Sequence, residues 1–215
     1  WNPVGPIWLS GEGHNDAWMV CFLLLGLWYW DNASQKRGIL TISCAALCKP
    51  FAAWALLPSL IKSPWYYWFI PPAIAALAYY PFMDAGFLLF HSLGRFGGEL
   101  HFHGALEPII RAAWELGLTD SQNVRLATVG SLLCILFLGT VVLMWRDHRR
   151  IAFHGNGDPA ALIAKLFALL FLCLPTLYPW YFAPLVFLLP FVRLSWGLIL
   201  WTAMTPVFWL HGLAI

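Results

Sequence analysis

Apolar runs divide the chain, and short polar breaks separate them. The first run, Ala17–Trp30, follows a cluster of polar and flexible residues, Gly11-Glu12-Gly13-His14-Asn15-Asp16, and closes on Trp28-Tyr29-Trp30. Its length and uniform apolarity predict a helix, with Asp16 placed to N-cap it. The polar turn Asp31–Arg37 leads into a second run, Gly38–Ile61, which Lys49-Pro50 interrupts in the middle. Proline lacks the amide donor and clashes with the preceding turn, so a broken helix is predicted there. A third run, Trp65–Phe82, carries Pro71-Pro72 inside it.

Residues 83–103 hold no long apolar run and include Asp84, His91, Arg95, Glu99, His101 and His103. Residues 104–117 then alternate at helical spacing. Glu107, Arg111 and Glu115 recur every four residues on one side, while Leu106, Ile109, Ile110, Ala113 and Leu116 fall on the other. That pattern predicts an amphipathic helix lying along a membrane surface, its charged stripe solvated and Glu107 paired with Arg111. Four further apolar runs follow: Arg125–Trp145, Ala160–Pro175, Tyr181–Val192 and Trp196–Leu213. The first of them ends in the basic stretch Arg146-Asp147-His148-Arg149-Arg150.

Composition decides where these runs reside. Only 10% of the 215 residues are charged and 61% are apolar, with a mean hydropathy of +0.72. A soluble domain carries about 25% charged residues. The expected fold class is therefore all-α, a polytopic transmembrane helical bundle forming one integral-membrane domain over 1–215. Fourteen Trp and seven Tyr suit a protein with two wet interfaces, where amphipathic rings collect. The net charge of +2 and the lack of a basic patch give no support to nucleic acid as a partner. Cys21, Cys44, Cys48, Cys134 and Cys173 all lie inside apolar runs and are expected to be small buried hydrophobes.

Basic residues orient the spans. Lys36-Arg37 and Arg146–Arg150 predict cytoplasmic turns, which puts the Glu12–Asp16 cluster on the outer face. Two full crossings by Gly38–Ile61 and Trp65–Phe82 would then make 83–103 cytoplasmic, whereas Arg125 must start outside. A re-entrant pair of half-helices around Lys49-Pro50 resolves the conflict, since broken backbone is tolerated at membrane depth where it lines a wet cavity. A crossing by part of 83–103 is the alternative.

Three polar stretches are then expected to face one side: the Glu12–Asp16 cluster, His101-Phe102-His103-Gly104 and Tyr178-Pro179-Trp180-Tyr181. Charged groups at a membrane edge are costly and are site candidates by default. Each has a plain structural explanation too. Asp16 serves as a helix cap, Lys49 as half of an internal ion pair, His101 and His103 as interface histidines, and Trp180 and Tyr181 as members of an aromatic belt. Glu12, His14 and Asp16 as metal ligands are a weaker option, because their spacing matches no helix face.

The ordered set Asn2-Pro3, Gly13-His14-Asn15-Asp16 and mid-membrane Lys49-Pro50 resembles the polyprenol-phosphate-sugar-dependent glycosyltransferases of the GT-C fold, the bacterial membrane mannosyltransferases above all. Phe102-His103-Gly104-Ala105-Leu106 is similar to that family's Phe-Asn-Gly-Ser-Leu stretch, with His103 in place of Asn. Pro179-Trp180-Tyr181-Phe182 is similar to its Pro-Trp-Tyr-Leu stretch.

The resemblance implies an inverting enzyme in the bacterial cytoplasmic membrane. It would move a hexose, mannose first, from a polyprenyl-phosphate donor to a lipid or glycan acceptor at the outer face. It implies no obligatory cofactor, beyond a weak divalent-metal requirement. His14, Lys49, His101 and His103 would meet the phosphate, with Arg95 and Arg111 as weaker candidates because each has acids nearby. Glu12, Asn15 and Asp16 would meet sugar hydroxyls, with Glu12 and Asp16 as secondary bases, and Trp180 and Tyr181 would pack on the sugar or the first isoprenes. The family's acidic loop has no counterpart here. The chain is thus expected to be the C-terminal part of a longer GT-C-type domain, inactive alone, its general base upstream of Trp1. A transporter or flippase built on the broken helix, and a non-catalytic membrane scaffold subunit, are the competing expectations.

Overall fold

A computed structural model describes residues 15–88, 91, 104–118, 120–154, 158–192 and 196–204. These residues are mainly helical, with nine α-helices, 3-10 turns and no strand among them. By internal contacts the chain divides into two compact units. The first comprises Trp1–His91, Asp158–Ala164 and Pro179–Ile215, and the second Ser92–Gly157 and Lys165–Tyr178.

Unit one is built on a hairpin of α1 (Asp16–Asp31) and α2 (Gln35–Cys48). Glycine sets how closely the two helices approach. A Cβ on Gly26 would come within 2.9 Å of the Thr41 hydroxyl, and one on Gly38 within 3.0 Å of the Gly26 carbonyl oxygen. Polar side chains inside α2 satisfy themselves locally. The Thr41 hydroxyl donates to the Arg37 carbonyl at 2.8 Å and the Ser43 hydroxyl to the Ile39 carbonyl at 2.7 Å, so neither costs a bare polar group. Met19, Leu23, Ile39, Ile42 and Ala45 are fully buried.

The turn between them is a Schellman motif. The Ser34 amide donates to the Tyr29 carbonyl at 2.8 Å, and the Ala33 amide to the Trp30 carbonyl at 3.1 Å. Its left-handed residue is Ala33, at φ 55°, where glycine is the usual occupant.

The predicted break lies at Lys49-Pro50. Lys49 is extended, at φ −145° and ψ 117°, as steric conflict with a following proline ring demands. A 3-10 turn, Pro50–Ala55, and the short α3 (Leu56–Ile61) follow. In the third apolar run Pro71-Pro72 lie in the first turn of α4 (Ile70–Tyr79), where the missing amide protons need no partner.

Further along, α8 (Ala183–Leu188) packs against α1 and buries Leu185 and Leu188. α9 (Trp196–Ala203) brings the Trp201 ring edge-on to Phe182, centroids 4.9 Å apart. The run Tyr181–Val192 is thus one short helix between 3-10 turns rather than a continuous span. Pro179, Pro184 and Pro190 each restart it.

Unit two contains α5 (Glu107–Glu115), α6 (Ser121–His154) and the greater part of α7 (Pro159–Cys173). Asp120 and Asp158 cap α6 and α7, accepting the amides of Asn123 at 3.1 Å and Ala161 at 2.9 Å. α6 is the one described helix long and apolar enough to cross a membrane, over Ser121–Ala152. Only 17% of its most apolar window is buried. Leu126, Leu133 and Phe137 are each at least 60% exposed, unlike the core helix of a water-soluble domain. α1, at 16 residues, extends about 24 Å, short of a hydrocarbon core of about 30 Å.

α5 lies on α6, held by the Trp114 indole N–H donating to the Ser131 hydroxyl at 3.0 Å. Gly139 of α6 receives Leu169 of α7, whose Cδ2 would lie 2.7 Å from an added Cβ. Gly104 sits so close to the backbone of Leu174-Pro175 that a Cβ would lie 2.8 Å from the Pro175 carbonyl oxygen.

One expectation for α5, its solvated charged stripe, is corrected. Arg111 pairs with Glu115 at 2.9 Å. Glu107 is buried, at 6% exposure in the first turn of α5, where the helix dipole favours an acid. The cysteines also differ from expectation. Cys173 is buried but Cys21 and Cys134 are exposed, because they occupy the outward sides of apolar helices.

Two substitutions test the hairpin, with unfolding followed in detergent. Gly26→Val is expected to destabilise by about 2 kcal/mol through overpacking against α2. Ala33→Gly is expected to stabilise by about 1 kcal/mol by relieving the left-handed strain.

Candidate functional site

The hairpin places the N-terminus of α1 beside the C-terminus of α2. Asp16 is the first residue of α1 and Lys49 directly follows the last residue of α2. Lys49 Nζ lies 3.2 Å from Asp16 Oδ2, with Asp16 fully buried and the lysine side chain 21% exposed. Each charge also sits at the favourable end of a helix, the carboxylate at the positive end of α1 and the ammonium at the negative end of α2. The pair is therefore held by three sources of compensation: the partner charge and two helix termini.

The expected cap at Asp16 is corrected by this geometry. Asn15 is the capping residue, at φ −65° and ψ −6°, and it makes no side-chain capping bond. Its amide instead reaches across the hairpin and donates to the Cys48 carbonyl at 3.4 Å, one of the carbonyls left over where α2 ends. Asp16, one residue inside the helix, turns to Lys49.

An aromatic wall completes the site. Lys49 Nζ lies 5.6 Å from the centroid of the Tyr181 ring, within cation–π range. Tyr181 is buried and meets Phe51 at 5.3 Å and Trp180 at 6.4 Å, centroid to centroid. Trp180 is half-buried, so the outer part of this wall is the indole.

Asn15, Asp16, Lys49, Trp180 and Tyr181, spread over 167 positions of sequence, therefore come together in unit one. Glu12, His14, His101, His103 and Arg95 lie outside the described residues. Arg111 belongs to unit two. Phe51 and the Cys48 carbonyl were not anticipated. An apolar ring and a backbone group carry no chemical signal in a sequence, and only their nearness to the predicted break pointed to them.

The constellation offers a cation beside a carboxylate under an aromatic wall, at a point where helical backbone is interrupted. It suits an anionic or hydroxyl-bearing group better than a metal ion. Among the described residues no group of three or more His, Cys, Asp and Glu side chains could hold a metal.

Removing one partner of a buried pair leaves the other uncompensated. Asp16→Asn and Lys49→Met are each expected to destabilise by about 3 kcal/mol. The double variant is expected to cost at least about 1 kcal/mol less than the sum, as coupled neighbours do. Denaturant unfolding of the four proteins in detergent checks this, and additive effects would show that the two charges do not interact.

Compared with protein-family models, with curated proteins and with solved structures, the chain matches none.

Proposed function

We propose that the chain is an integral-membrane glycosyltransferase domain of the GT-C type, using a polyprenyl-phosphate-linked hexose, mannose first, as donor and a lipid or glycan hydroxyl as acceptor, with its chemistry at the outer membrane face. One observation carries this most directly. The buried Asp16–Lys49 pair at a helix break is walled by Tyr181. A multi-pass arrangement, with Gly38–Ile61 re-entrant, belongs to the same proposal. The apolar composition and the exposed apolar length of α6 support it.

Transfer breaks the bond between sugar C1 and the phosphate oxygen and forms a bond from C1 to the acceptor oxygen. Negative charge grows on the departing polyprenyl phosphate, and the acceptor loses a proton to a base. Lys49 supplies the fixed positive charge for the phosphate, and Asp16 holds that ammonium in place. A donor already oriented costs no reorganisation when charge develops, which is where such groups lower barriers. With Oδ2 engaged by Lys49, Asp16 suits a positioning role better than that of a base. The base is assigned to no residue of this chain. Trp180, half-buried at the outer part of the wall, is the ring proposed to meet a sugar face or the first isoprene.

The break at Lys49-Pro50 also favours a second proposal, a transporter or flippase for a lipid-linked or small polar solute. Transfer of labelled mannose from polyprenyl-phosphate-mannose, measured in membranes carrying the full-length protein of which this chain is expected to be part, separates the two. Lys49→Met is expected to lower transfer roughly 100-fold. Arg149→Ala, whose guanidinium stacks on Trp145 of α6, is expected to leave it unchanged. Solute flux without any sugar transfer would favour the transporter, and transfer unaffected by Lys49→Met would remove the enzyme proposal as stated.

A further inference from the structure

Unit two has its own cavity, of about 790 Å³, between α5 and the first turns of α6. Its polar lining comes from Glu107 and Arg111 of α5 and from Gln122, Arg125 and Thr128 of α6, with Glu115 completing the Arg111 pair. That volume lies within the range of small-molecule sites, roughly 300–1,000 Å³. Glu107 is more than nine-tenths buried at its wall.

A second, apolar groove of about 200 Å³ shares Val129, Leu132 and Pro175 with the polar cavity. It runs on beside Leu133 and Leu136 of α6 and Leu170 of α7. From Val129 to Leu136 is about 10 Å along the helix. The polar cavity thus opens at the N-terminal end of the one described helix long and apolar enough to cross a membrane, and the groove continues along its apolar body. Polar head first and apolar channel after is the shape of a lipid.

The charges select among headgroups. Two carboxylates and two guanidinium groups line the cavity, a formal balance of zero, and Arg111 is already committed to Glu115 at 2.9 Å. An anionic phosphate would meet Glu107 and Glu115 as well as the arginines. Vicinal hydroxyls, which donate and accept together, match planar carboxylate and guanidinium groups at once. We infer that unit two binds a membrane lipid with an uncharged polyhydroxyl headgroup, its sugar-like head between α5 and the start of α6 and one acyl chain in the groove toward Leu136. The inference rests on α6 lying in the bilayer and not on the sugar-transfer chemistry proposed for unit one.

Photocrosslinking of the protein in phosphatidylcholine vesicles tests it. Three diazirine-bearing probes with identical chains are compared: monoglucosyl diacylglycerol, phosphatidylcholine and phosphatidylglycerol. The expected result is at least tenfold more labelling by the glucosyl lipid, mapped to peptides containing 129–136 and 170–176. Val129→Trp, at a partly exposed position where the two cavities join, is expected to abolish the preference. Phe137→Trp, on the same helix but outside both cavities, is expected to keep it. Equal labelling by the three probes would overturn the inference, as would stronger labelling by phosphatidylglycerol or a preference that survives Val129→Trp. The readout is binding, so its failure is separate from a failure of sugar transfer.

Discussion

The structure of unit one depends on burying one carboxylate. Asp16 has no exposed surface, and an isolated ionised group in such a place would cost several kcal/mol. Lys49 answers that cost, but only if the end of α2 is brought to the start of α1. A short Schellman turn returns the chain, two glycines let the helices approach, and the proline after Lys49 stops α2 where the ammonium is needed. Moving the break by one residue along a helix would swing the lysine by about 100° and part the pair. The break, the turn and the glycine contact are thus linked requirements of one ion pair.

Unit two manages polarity differently. The hydroxyls of Thr128, Ser131 and Thr140 each donate to a carbonyl four residues back, which keeps α6 apolar on the outside despite its polar residues. Some of its charges gather at α5 and the first turns of α6, around a cavity, and others in the basic stretch Arg146–Arg150 at the far end of α6. Glycine again decides contact, at Gly139 against Leu169 and at Gly104 against Pro175. Small residues at helix contacts are the usual solution where apolar surroundings give helices little hydrophobic reason to associate.

The two units support two separate proposals with a common physical basis. In each, charged groups are held close to an apolar environment and compensated by neighbours, so the field they present is strong and fixed. In unit one the arrangement leaves a cation, backed by a carboxylate, under an aromatic wall. In unit two the charges balance, which favours hydroxyl groups over ions.

Much of the architecture was legible in the pattern of residues. Apolar runs marked α1, α2 and α7 within a few residues and the start of α6, which runs on to His154 through the basic stretch, and Lys49-Pro50 marked the break, because proline chemistry is local. Aspartate as a cap was legible as a type and misplaced as a position. Asp120 and Asp158 cap their helices, whereas Asp16 falls one residue inside α1, a difference that depends on where the first helical turn closes. Pro71-Pro72 and the prolines after Tyr178 were likewise visible, but whether a proline interrupts a helix or begins one depends on which amides the rest of the fold leaves unused. Ala33 gave no sign of its left-handed turn, since alanine does not advertise that conformation.

By itself the sequence determined that this protein is helical and apolar, where α1 and α2 stop, and that Asp16, Lys49 and Tyr181 were worth watching. Those are consequences of local sterics and of composition. Only the tertiary structure decided that Lys49 meets Asp16 and Tyr181 and that Glu107 turns inward to a cavity. Pairing of charges depends on distances between residues far apart in the chain, and helix packing sets those distances.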